Sequence, residues 1–160
     1  MQVYLLRHGI AEDGGVSDAD RALTEEGRRK LREVLLAASK ADLQPSLILT
    51  SPLKRALETA EIAKQVLHYK NELVRSKALS PGSSVEQVWD EIRTHRKESS
   101  VMLVGHNPQF ENLTGYLLGC PSVQIDFKKG AILRIDFDYI SSHPRGVLRW
   151  YLTARLAADP

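Results

Sequence analysis

Met1-Gln2-Val3-Tyr4-Leu5-Leu6-Arg7-His8-Gly9 opens the chain, and its reading decides the fold. Val3 to Leu6 is an apolar run of β-forming residues, long enough for a buried strand and too short for a helix. The run stops abruptly at a cation, an imidazole and a glycine. Glycine permits turns that other residues resist and lets a ligand come close to the backbone. A buried strand ending in Arg-His-Gly places charge where open α/β sheets bind ligands. Taken alone, the tripeptide fits equally well an incidental Arg-His on a surface.

Working outward, a polar loop from Ile10 to Arg21 follows, longer than the ~2–6 residues usual between strand and helix, and long loops are often functional. Thr24 caps a predicted helix from Glu25 to about Ala38, with Leu31, Val34, Leu35 and Ala38 on one buried face. Leu47 to Thr50 reads as a second buried strand. Ser51-Pro52 then reads as a cap with proline at the first helical position, opening a helix to about Leu67. Glu72 to Ala78 is predicted as a third strand. Ser83-Ser84-Val85-Glu86 reads as a capping box before a helix that turns Val85, Val88, Trp89 and Ile92 inward. Val101 to Val104 is a fourth apolar strand, and Asn107-Pro108 after it repeats the cap-plus-proline start of a helix ending near Gly119. Ala131–Phe137 and Val147–Leu152 read as an antiparallel pair across a short polar loop. Strand–helix alternation predicts an α/β fold: a mostly parallel central sheet with helices on both faces, a three-layer α/β/α sandwich with antiparallel C-terminal strands.

The chain of 160 residues suits a single domain, residues 1–160, around one core. Its 42% hydrophobic and 26% charged content is that of a soluble globular protein. A net charge of +2 and no long run of Lys and Arg argue against a nucleic-acid partner, and Arg28-Arg29-Lys30 reads as a solvated helix face. Lys128-Lys129 could meet an acidic partner, although a charged strand entry is the plainer reading. The one cysteine, Cys120, excludes an intramolecular disulfide and is expected to be a small packing residue. No membrane span or signal peptide is evident, so a cytoplasmic protein is expected, with a monomer favoured over an oligomer.

Three apolar strands end in residues that carry chemistry: Arg7-His8-Gly9, Ser51-Pro52-Leu53-Lys54-Arg55 and Gly105-His106-Asn107. In a parallel sheet these C-terminal ends share one edge. Two arginines, two histidines and two helix N-termini would converge there, making an electropositive site suited to a phosphoryl group. Individually, Arg55 fits a helix surface and His106 a cap neighbour. His68, His95 and His143 fall at helix ends or in a loop and are given no role.

Together the segments resemble the histidine phosphatase superfamily, the phosphoglycerate-mutase-like proteins. Leu6-Arg7-His8-Gly9 is similar to the family's signature, Thr50 to Ala60 to its second-arginine motif, and Val104-Gly105-His106-Asn107 to its second-histidine motif. The resemblance implies a phosphoglycerate-mutase-like fold and a two-step phosphoryl transfer through a phosphohistidine on His8. It implies that Arg7, Arg55 and His106 bind the phosphoryl oxygens, joined by Gly9 and Asn107. His8 must be neutral to attack, and flanking arginines disfavour its protonation. Its other ring nitrogen needs a fixed acceptor, which in the family is a backbone carbonyl. No metal and no cofactor are implied.

Mutases and many small-ester phosphatases of this family carry a glutamate after the third strand as general acid. Here that stretch is Leu79-Ser80-Pro81-Gly82-Ser83, with no acid until Glu86. The chain resembles instead the short SixA-type phosphohistidine phosphatases, including in Ser17 to Thr24. Asp18 is the candidate for a remaining acid/base role, with Asp20 behind it; both also fit simple loop solvation. With no large insertion, an open and shallow site is expected. The implied substrate is phosphohistidine displayed on a protein, such as a histidine-containing phosphotransfer domain. The alternatives are a small phosphate ester and a silent phosphoprotein-binding module, against which an intact His8 with both arginines weighs.

Overall fold

A computed structural model describes residues 1–158. β1 (Gln2–Arg7), β2 (Leu47–Thr50), β3 (Val74–Arg75), β4 (Ser100–Gly105), β5 (Ile132–Asp136) and β6 (Val147–Leu152) form one sheet in the order β3-β2-β4-β1-β5-β6. β1, β2, β3 and β4 run parallel, whereas β5 pairs antiparallel with β1 and with β6. β4 is buried at all six positions, as a central parallel strand must be when helices cover both faces.

The alternation of side chains along β1 divides the core in two. Val3 and Leu5 face α3 (Val85–Thr94) and α4 (Gln109–Leu117), where Val88, Trp89, Ile92, Phe110 and Leu113 are buried. Tyr4 and Leu6 face α1 (Glu25–Ser39) and α2 (Lys54–Val66), where Leu31, Val34, Leu35, Ala56 and Ala60 are buried. The architecture is therefore a three-layer α/β/α sandwich. Leu5 is fully buried, and Leu5→Ala would cost about 2–5 kcal/mol through lost burial and the cavity left behind. A four-residue α5 (Ala154–Ala157) packs on α1.

Several predicted boundaries move. Thr24 caps α1 by accepting from the Gly27 amide at 2.9 Å, as read from the sequence. The α2 helix starts later than Ser51-Pro52 implied: Leu53 is its extended N-cap residue, and Ser51 and Pro52 lie in the turn before it. The third strand shrinks from Glu72–Ala78 to Val74–Arg75, both exposed at a sheet edge, and Lys77–Leu79 coils into a 3-10 turn that buries Leu79. The capping box falls one residue on, between Ser84 and Gln87. Asn107 is not a cap either, since α4 begins at Gln109 after Pro108. Cys120 is exposed and does not pack in the core. No helix among the described residues is long and apolar enough to cross a membrane.

Candidate active site

The parallel ladder continues past the ends of β1 and β2. The His8 amide donates to the Gly105 carbonyl at 3.0 Å, and the Ser51 amide donates to the Val104 carbonyl at 2.9 Å. Ser51, His106 and His8 thus stand at three neighbouring strand ends. The helix after β1 goes to one face of the sheet and the helix after β4 to the other, which opens a crevice between them. The His8 and His106 rings face each other across it, with centroids 5.1 Å apart.

His8 lies on the floor of this crevice, 6% exposed, and not at an open strand end as its place in the sequence suggested. Its Nδ1 lies 2.7 Å from the Gly9 carbonyl. A carbonyl can only accept, so Nδ1 carries the proton and Nε2 keeps its lone pair. Burial, with Arg55, Arg7 and Lys129 nearby, lowers the His8 pKa to about 4 even against the carbonyl hydrogen bond that favours protonation. The ring is therefore a neutral base at pH 7. Gly9 does not adopt a positive φ, so no turn requires glycine there. A Cβ would instead lie 2.7 Å from Leu31 Cδ1, and the missing side chain lets α1 close on the strand end.

The two arginines approach from different elements. Arg7 ends β1 and donates from Nη1 to the Phe127 carbonyl at 2.6 Å. Arg55 sits in the first turn of α2, 5% exposed, which removes the helix-surface alternative. One turn on, Thr59 donates to the Arg55 carbonyl at 2.7 Å and accepts from the Gly9 amide at 3.2 Å, tying α2 to the end of β1. The Nε–H groups of Arg7 and Arg55 are buried without a partner. Buried donors are rarely left so, and both are of a kind that pairs well with an anionic oxygen.

Asp18 faces the same arginine. Arg55 Nη1 donates to the Asp18 carbonyl at 2.8 Å, and Nη2 lies 3.3 Å from its carboxylate. Arg21 holds the same carboxylate at 2.9 Å. Hydrogen bonds from Arg21, then the charge of Arg55, push the Asp18 pKa below its ordinary value. As placed, Asp18 is an anionic partner of Arg55, an arrangement that favours its ionised form over the protonated form a general acid needs. Asp20 accepts from Ser17 and stays in the loop. A phosphoryl oxygen that binds the Arg55 fork must take it from Asp18.

His106 is 2% exposed, and its Nε2 lies 2.7 Å from the Ser51 hydroxyl. Burial, then His8 and Arg55, lower its pKa to about 3. Its Nδ1 is buried without a partner. When Ser51 donates, Nδ1 carries the proton and is a donor with no partner among the described residues. The other two sequence candidates offer less. The Gly9 amide is already taken by Thr59, and the Asn107 side-chain nitrogen donates to Glu111 and to the Phe127 carbonyl, both at 3.0 Å. Gln109, which the sequence reading passed over, donates to the Ala78 and Ser83 carbonyls and pins the loop after β3 beside His106. Glu86 is exposed in the first turn of α3. Glu58, one turn past Arg55, accepts from the Leu23 amide and pairs with Arg28, so it anchors α1 and its approach. Among the described residues, no group of three or more His, Cys, Asp and Glu is placed to hold a metal ion.

His8 and His106 form a buried floor. Two clefts flank it. One of about 300 Å³ is bounded by Pro81–Val85 and His106–Gln109, and one of about 520 Å³ lies on the Arg7 side.

Comparison with known proteins agrees with this geometry. A family model described as histidine phosphatase superfamily (branch 1) matches residues 3–80. An uncharacterized protein of Picosynechococcus sp. is 31% identical over 137 residues, 83% of each chain. Phosphohistidine phosphatase SixA of Escherichia coli is 28% identical over 160 residues, 96% of this chain and 94% of that one. The structure of the protein histidine phosphatase SixA complexed with tungstate superposes with a TM-score of 0.88 at 25% identity, covering 97% of this chain and 98% of that one.

Proposed function

The chain belongs to the histidine phosphatase superfamily and is of the SixA type, and from that premise we propose that it hydrolyses phosphohistidine on a protein. In this reading, His8 Nε2 attacks phosphorus and the substrate P–N bond breaks. Its electron pair returns to the leaving imidazole, which departs neutral if its other nitrogen is protonated. Phospho-His8 keeps its Nδ1 proton on the Gly9 carbonyl. Water then attacks phosphorus, the Nε2–P bond breaks with its electron pair returning to His8 as neutral imidazole, and both protons of water end on the inorganic phosphate, which ionises to solvent. Arg7, Arg55 and His106 hold the phosphoryl oxygens as charge moves across them.

The observation that carries the choice of substrate is the state of Asp18. An alkoxide leaving group needs a positioned acid, worth ~10²–10⁴-fold. The loop after β3 supplies no carboxylate, and the carboxylate that reaches Arg55 is held ionised by two arginines. A protonated phosphoimidazole does not need that acid. The whole-length similarity to SixA supports the same choice. A cytoplasmic enzyme in phosphoprotein signalling completes the reading, and the exposed, unpaired Cys120 suits a reducing compartment.

The test is a kcat/KM series over leaving groups, for wild type and Asp18→Asn. Phosphohistidine and aryl phosphates with acidic phenols should react well, and phosphoserine and phosphoglycerate poorly. Asp18→Asn should leave that ranking unchanged. A flat series with fast phosphoglycerate turnover would contradict the proposal and point to an unrecognised acid.

A further inference from the structure

The two clefts beside the phosphoryl site differ in charge. The cleft of about 300 Å³ is lined by Pro, Gly, Ser, Val, Asn and Gln residues together with His106, which is neutral at pH 7. The cleft of about 520 Å³ gathers five cations, Arg7, Lys30, Lys128, Lys129 and Arg155, against the single acid Asp126.

This concentration follows from the fold. The Gly130 amide donates to both the Arg7 and His8 carbonyls, at 3.2 and 3.0 Å, pinning the turn that carries Lys128 and Lys129 to the end of β1. The charge of Lys129 is felt at His8. α5 packs on α1, and Arg155 and Lys30 line the same cleft. Because Arg7 lines this cleft, it is continuous with the phosphoryl site. Lys30 and Lys128 pair locally with Glu26 and Asp126, at 2.9 and 2.8 Å. Both pairs are exposed, so they hold little energy and exchange readily for other carboxylates. Lys129 has no ion pair among the described residues.

The phosphoryl charge is already met by Arg7, Arg55 and His106, so these further cations answer negative charge elsewhere on the substrate. They come from three separate segments and so present a surface, where a small ester would need a convergent pocket. Resting on the phosphohistidine reading above, we propose that this cleft docks an acidic protein face surrounding the phosphorylated histidine. Complementary charge of this kind acts mainly on association rate and is screened by salt.

The test compares three P–N substrates of the full-length chain: phosphoramidate, a phosphohistidine peptide flanked by glutamates, and the same peptide flanked by glutamines. The variant is Lys30→Glu with Arg155→Glu, neither of which touches the phosphoryl site. In wild type at low salt the glutamate peptide should exceed the glutamine peptide in kcat/KM by about tenfold, and the gap should close near 0.5 M salt. The double variant should lose that gap and keep wild-type turnover of phosphoramidate. Equal wild-type rates for the two peptides at low salt would overturn the docking proposal alone. So would a double variant that impairs a sugar bisphosphate but not the glutamate peptide, since the cleft would then be a small-molecule subsite. Failure of wild type on all three P–N substrates would overturn the phosphohistidine reading and the docking proposal with it.

Discussion

The ends of β1 and β4 lie side by side, and each delivers a buried, neutral histidine, yet they hold the ring by opposite nitrogens. His8 is tethered at Nδ1 by a carbonyl, His106 at Nε2 by a hydroxyl. A carbonyl fixes one tautomer, and so leaves a permanent lone pair at His8 Nε2. A hydroxyl can donate or accept, so His106 can present an N–H to whatever lies in the crevice. Residue type and burial do not separate the two. In the proposed mechanism, the difference in tether suits His8 to attack and His106 to charge stabilisation.

The largest expected effect breaks the pair directly. His8→Ala should reduce turnover to background, whereas His106→Ala should cost on the order of 10²–10³-fold in kcat, as the loss of one oxyanion donor does. Steady-state rates on phosphoramidate measure both, and equal losses would erase the distinction.

Arg55 acts on both histidines, lowering each pKa, and its Nε–H is an unfilled donor. Arg55→Ala should cost about 2–4 kcal/mol of transition-state stabilisation. Arg55→Lys should recover only part, because an ammonium lacks the planar fork. The ratio of kcat/KM for the two variants reads this, and a lysine variant as fast as wild type would count against a fork.

Protonation sharpens the comparison without mutation. The folded pKa values of about 4 and about 3 lie below the ordinary 6.5 of histidine. The folded state therefore binds fewer protons than the unfolded one between those values. Stability is full above pH 6.5 and falls as the pH drops toward 4. For His8 the loss should be about 2 kcal/mol between pH 7.5 and pH 5. Urea titrations at the two pH values should show it, and His8→Ala should show less of it. The kcat/KM of the free enzyme should bend near pH 4, and a bend near 6.5 would mean that His8 is far better solvated than its place in the crevice implies.

The smallest effect concerns the hydroxyl tether. Ser51→Ala removes one buried hydrogen bond to His106, worth about 0.5–1.5 kcal/mol. It should slow turnover by about tenfold at most, with no change in which residue becomes phosphorylated. A loss as large as that of His106→Ala would make Ser51 a direct participant.

What the sequence made legible follows the physics of each feature. β1, β2 and β4 announce themselves because strands buried on both faces are continuously apolar. Their common direction then brings Arg7, His8, Arg55 and His106 to one edge. β3 is shorter than the sequence pattern predicts because an edge strand of two exposed residues has no apolar signature, while its buried neighbour Leu79 belongs to a 3-10 turn. The bond from Arg55 to Asp18 spans 37 residues of chain, and nothing local to either residue signals it. The Phe127 carbonyl that holds both Arg7 and Asn107 is a main-chain atom, and any residue there would supply it. Thr59 and Glu58 could have been found, since they lie one helical turn past Arg55 on the same face.

The central claim is that His8 Nε2 is the atom that takes the phosphoryl group. It is tested most directly by rapid quench during turnover of phosphoramidate, followed by mass spectrometry of the proteolysed chain under alkaline conditions. The account predicts an acid-labile, alkali-stable phosphate on the peptide containing His8 in wild type and in Ser51→Ala, and none in His8→Ala. Phosphate on His106, or turnover of His8→Ala above a few per cent, would contradict it.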